Sequence, residues 1–111
     1  MAGERLVVQL PISGSTDFDE LLEIENALTL AFLEDRTAIV DGHALKGEVF
    51  SVFIVSRADP GAIVDRVKVT LAERGVLDEA LIARQGSAAE AWTVVWPAGS
   101  AGQPVPGPTL P

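Results

Sequence analysis

No cysteine occurs in the chain. That absence excludes a disulfide framework, a thiol nucleophile and any cysteine-held zinc or iron–sulfur centre, and it suits a reducing, cytoplasmic setting. There is one histidine, His43, too few for the usual imidazole-based metal set, so neither a metal nor another cofactor is expected. Long apolar runs are also missing. The longest, Ala27 to Leu33, includes Thr29 and is far too short to span a bilayer. The opening residues, Met1-Ala2-Gly3-Glu4-Arg5, lack a basic run followed by an apolar one, so no signal peptide is expected. Neither a G-x-S-x-G elbow, a P-loop nor a strand-linked G-x-G-x-x-G appears, and enzyme signatures are to that extent absent.

Bases are scarce in one segment. The chain holds 16 acids against 8 bases, a formal charge of −8. Asp17, Asp19, Glu20, Glu23, Glu25, Glu34 and Asp35 follow one another with no Lys or Arg among them. A field of one sign around that segment repels phosphates and anionic lipid, so nucleic acid and membrane surfaces are not expected partners. Two uses of such a surface compete: solubility, or docking of a basic protein.

What is present is enough apolar material for one core: 111 residues, 48% of them hydrophobic. Leu6 to Ile12 alternates, with Leu6, Val8, Leu10 and Ile12 on one face, and reads as a strand. After the turn Ser13-Gly14-Ser15-Thr16, Thr16 or Asp17 caps a helix whose stripe is Leu21, Ile24, Leu28, Ala31 and Phe32. Thr37 to Asp41 reads as a second strand, Gly42 to Gly47 as a connection, and Glu48 to Ser56 as a third strand, apolar on both faces and hence central. Asp59-Pro60 opens a second helix with the stripe Ile63, Val64, Val67 and Leu71, stopped at Gly75. Leu81 to Gln85 and Ala91 to Trp96 are the last strands, with Trp92, Val94 and Trp96 expected on one face. The Pro/Gly-rich residues 98–111 have little to bury and are expected to be a disordered tail to a single domain, residues 1–97.

The order strand, helix, strand, strand, helix, strand, strand predicts an α+β fold, a ferredoxin-like split β-α-β sandwich. It has two helices on one face of an antiparallel sheet and an added C-terminal hairpin strand. The other face would carry Val49, Phe53, Val55, Val7 and Val95, an apolar surface that a homodimer could cover by pairing sheets.

Polar residues gather in one place. Asp41, His43, Lys46 and Glu48 fall within eight residues bounded by glycine, and two carboxylates with an imidazole are groups that can move protons or hold a ligand. The same residues also suit a plain hairpin turn, with Gly42 and Gly47 supplying the backbone angles. Trp92 and Trp96 could stack a ligand or simply pack.

The run Asp41-Gly42-x4-Gly47-Glu48, the apolar strand after it, Asp59-Pro60 at a helix start and Thr93-Val94-Val95-Trp96-Pro97 together resemble a group of small uncharacterised bacterial proteins with a predicted ferredoxin-like fold. The resemblance covers most of residues 5–97. It implies a fold and no activity. The sequence therefore supports a non-enzymatic protein-binding module whose acidic helix, through Glu20, Glu23 and Glu25, meets a basic partner; an immunity or inhibitor protein is one concrete version. The competing class is a small-ligand sensor or small enzyme built on Asp41, His43, Lys46 and Glu48.

Overall fold

A residue every second position sends its side chain to the same face of a strand, and in Leu6-Val7-Val8-Gln9-Leu10 both faces are mostly apolar. In the computed structural model that segment lies at the middle of a sheet. The structure describes residues 5–12, 18–34, 36–57, 59–85, 92–96 and 104–105. In chain order they form β1 (Arg5–Pro11), α1 (Phe18–Leu33), β2 (Ala38–Lys46), β3 (Val49–Ser56), α2 (Pro60–Glu73), a short 3-10 turn (Leu77–Glu79), β4 (Leu81–Gln85), β5 (Trp92–Trp96) and β6 (Pro104–Val105). The class is α+β. The strands lie in the order β2-β3-β1-β4-β5-β6, every neighbouring pair antiparallel.

The principal core lies between the sheet and both helices. Leu6, Val8 and Leu10 of β1, Phe50, Val52 and Ile54 of β3 and Ile82 of β4 meet Leu21, Ile24, Leu28 and Phe32 of α1 and Ile63, Val64, Val67 and Leu71 of α2. Each such side chain, fully buried, contributes about 1.5–3 kcal/mol relative to exposure. α2 ends as its sequence dictates. Gly75 adopts φ +75°, its N–H donates to the Ala72 carbonyl at 3.0 Å and the Val76 N–H to that of Leu71 at 3.0 Å. That double bond pattern is a Schellman cap, with Leu71 and Val76 both buried beside it. At the other end Asp59 precedes Pro60 as expected, but its side chain makes no capping hydrogen bond. The expected cap at Thr16 or Asp17 lies outside the described residues.

Four observations depart from the sequence expectations. The run Gly42 to Gly47 is not a connecting loop: β2 continues through it to Lys46, and Lys46 pairs with Val49, leaving Gly47 and Glu48 alone as the turn. Gly47 has φ +61°, which suits the first central position of a tight hairpin turn. The strand stays in register because Asp41 and Gly42 together oppose Phe53, a β-bulge that places Gly42 at φ +109°. A second bulge at Val95 aligns Trp96 with Ile82 and Val94 with Ala83, so Trp96 and Val94 face opposite sides, and Val95 packs against the helix-side core. Two residues of the expected tail, Pro104 and Val105, add a strand beside Trp92 and Thr93; proline is tolerated there because the strand is at an edge.

The fourth concerns the face turned away from the helices. Val7, Phe53 and Ala83 form a small second cluster there, and they are exposed to only 0%, 4% and 0%. The centre of that face is thus closed within one chain. Among the described residues, the large aliphatics still exposed on that face are Ile39 on the edge strand β2 and Val49 at the start of β3.

Candidate functional site

The bulge decides the fate of the polar cluster. Asp41 lies opposite Phe53, on the helix-free face, where its Oδ2 accepts from Arg5 Nη2 at 3.3 Å. His43 comes after the bulge, opposite Val52, and so points to the helix side. There its Nδ1 lies 2.8 Å from Oε1 of Glu25 on α1, and its ring is tilted by 32° at 5.0 Å from that of Phe50. Lys46 is the last residue of β2, and its side chain is outside the described residues. Glu48 sits in the exposed turn, where its carbonyl accepts from the Ile12 N–H at 2.7 Å. Asp41, His43 and Glu48, close in sequence, are therefore distributed over two faces and a turn. Among the described residues no group of three or more His, Asp or Glu side chains could hold a metal ion.

The pair His43–Glu25 is the chemically pointed part of what remains. One imidazole and one carboxylate at 2.8 Å, with side chains 36% and 17% exposed, stand within hydrogen-bond distance, and they tie α1 to β2 beside Phe50. Neither residue lines the cleft at the end of α1 or the one beside Gly75.

The acids of α1 separate by helical geometry. Residues two apart on a helix differ by roughly 200°, so Glu23 and Glu25 cannot share a face. Glu25 turns inward to His43, while Asp19, Glu20 and Glu23 are exposed. The same outer side carries Leu30 and Leu33, exposed to 58% and 63%. The outward surface of α1 is acidic in its first half and apolar in its second.

Sequence reasoning missed one further feature. A cleft of about 190 Å³ opens where α1 ends and β2 begins, lined by Thr29, Phe32, Leu33, Ala38, Ile39 and Val40 with Arg36 and Arg57. The two arginines are far apart in sequence. They line one cleft because Ala38 pairs with Ser56, so each stands just beyond one end of the same hairpin, and the Arg57 N–H donates to the Thr37 carbonyl at 2.7 Å. The signal was available once a hairpin had been inferred: residues flanking its open end must be neighbours.

No family model, curated protein or solved structure matches this chain. The reading of function accordingly rests on geometry and charge. Trp96 joins the structural side of the ledger: its Nε1–H donates to the Leu77 carbonyl at 3.1 Å and the Lys68 ammonium lies 4.6 Å over its ring, so it fastens β5 to α2. Trp92, the other residue considered for stacking, has its side chain outside the described residues. No helix among the described residues is long and apolar enough to cross a membrane.

Proposed function

We propose that this protein is a non-enzymatic binding module that docks a basic protein on the outer face of α1. The observation that carries the reading is the combination on that face: Asp19, Glu20 and Glu23 exposed in the first half, Leu30 and Leu33 exposed in the second. Like charges on one surface steer an oppositely charged partner and exclude others, while exposed leucines supply the desolvated contact that charge alone does not. Glu25 contributes to this surface less than Glu20 and Glu23, which are exposed while it is half-buried against His43. An inhibitor of a basic enzyme or toxin is the version of the module best suited to such a face.

The fold belongs to the same proposal. We read it as a ferredoxin-like split β-α-β sandwich extended by β5 and β6, supported by the order β2-β3-β1-β4 and by a core shared between two helices and one side of the sheet. A cytoplasmic setting is supported by the cysteine-free composition. The rival reading, an enzyme or sensor built on Asp41, His43, Lys46 and Glu48, loses support because Asp41 and His43 are on opposite faces.

The test is affinity recovery from native cells with the full chain and with a Glu20→Lys, Glu23→Lys double variant, at low and high salt. A basic protein retained at low salt, released at high salt and absent with the variant is the expected result. Retention that charge reversal leaves unchanged would refute the proposal.

A further inference from the structure

We propose that the cleft between the end of α1 and the start of β2 binds a small aliphatic monocarboxylate, its carboxylate between Arg36 and Arg57 and its hydrocarbon body against Leu33 and Ile39. Three independent observations converge there. The first is shape and lining: about 190 Å³, walled largely by apolar side chains. For scale, an engineered apolar cavity of about 150 Å³ accepts benzene, so a body of about six carbons fits this one.

The second is charge. The whole chain has a formal charge of −8, yet this cleft is lined by two bases and no acid. Arg36 and Arg57 take part in neither of the ion pairs Arg5–Asp41 and His43–Glu25. A helix C-terminus ordinarily disfavours an anion, because its last carbonyls carry partial negative charge. Here two of those carbonyls are already satisfied: Ala31 accepts from Arg66 Nη1 at 2.8 Å and Phe32 from the Arg36 N–H at 3.0 Å. Arg66 also lies 5.8 Å over the Phe32 ring, adding a third cation near the wall of the cleft.

The third is backbone strain. Arg36 has φ +56°, and among the described residues it alone adopts a positive φ without being glycine. Its N–H closes the last turn of α1, a role that glycine fills without steric cost. An arginine held in that conformation is the kind of outlier that accompanies binding sites. The occupant suited to this lining has an anionic head and an apolar body: a bare phosphate would leave the exposed side chains of Leu33 and Ile39 in water, and a neutral alcohol would leave the guanidiniums unneutralised.

The experiment titrates the ¹⁵N-labelled full chain with sodium hexanoate, using hexan-1-ol and sodium acetate as probes lacking the charge or the body. Hexanoate is expected to shift the amide signals of residues 36–40 and 57 and to saturate with a dissociation constant on the order of 1 mM, as suits a ligand of its size. Hexan-1-ol and acetate should each bind at least about 5-fold more weakly. Arg57→Gln and Arg36→Gly should each weaken hexanoate by about 5-fold or more and leave hexan-1-ol unchanged. Arg36→Gly should also melt at a higher temperature, which separates loss of binding from loss of fold. Equal binding of hexanoate and hexan-1-ol, shifts confined to other residues, or variants that bind hexanoate like the parent chain would each overturn the assignment.

Discussion

Glu23 and Glu25 are two residues apart and have different work. Glu23 is exposed on the outer side of α1, whereas Glu25 is held against His43 at 2.8 Å with its side chain 17% exposed. Replacing Glu25 by lysine removes that partner and sets an ammonium beside the imidazole, in a place that solvent screens only in part. Glu25→Lys should therefore destabilise the protein by about 1 kcal/mol or somewhat more, while Glu23→Lys stays within about 0.5 kcal/mol of the parent. Urea unfolding of the two variants side by side measures the difference. Equal midpoints would mean that the contact between α1 and β2 adds nothing to stability.

Elements were more legible than their faces. Alternation in Leu6-Val7-Val8-Gln9-Leu10, the apolar stripes of both helices, the Pro60 start and the Gly75 stop all depend on local rules, and each is found where those rules put it. What local rules do not carry is an extra residue. A bulge at Asp41-Gly42 let β2 run on to Lys46 and parted Asp41 from His43; a bulge at Val95 turned Trp96 away from Val94. Both are settled by what the partner strand offers, Phe53 in one case and the step from Ile82 to Ala83 in the other. The arginine cleft was hidden for a related reason, since it exists only through pairing of Ala38 with Ser56. Trp96 gives this a measurable consequence. In its observed orientation the indole N–H reaches the Leu77 carbonyl and the ring lies under Lys68. Trp96→Phe keeps the apolar ring and loses the hydrogen bond, for an expected cost of about 1–2 kcal/mol. Lys68→Met, removing only the cation, should cost less than about 1 kcal/mol. A denaturant midpoint unchanged by Trp96→Phe would place the indole away from Leu77.

At the scale of the whole molecule the question is whether the sheet needs a second copy. Alternation alone suggests so, because β3 is apolar on both sides and the helices cover only one. The structure alters the arithmetic: Val7, Phe53 and Ala83, which would form the centre of a sheet-to-sheet interface, are buried in a single chain. Among the described residues of that face, the large aliphatics still exposed are Ile39 at 42% and Val49 at 39%. Together they present on the order of 150 Å² of apolar surface, against about 800 Å² per partner in a standard stable interface. The acidic surface adds repulsion between copies, with a formal charge of −8 on each. On the described residues a homodimer formed through the sheet has little to drive it, and the expected mass in solution at about 10 µM is that of one chain, 11.7 kDa. Sedimentation equilibrium at low and at moderate salt measures it directly. A two-chain mass at both salt concentrations would restore sheet pairing as the organising contact and make Ile39 and Val49 the first residues to mutate; a two-chain mass only at the higher salt would mean that charge, not lack of apolar area, keeps the copies apart.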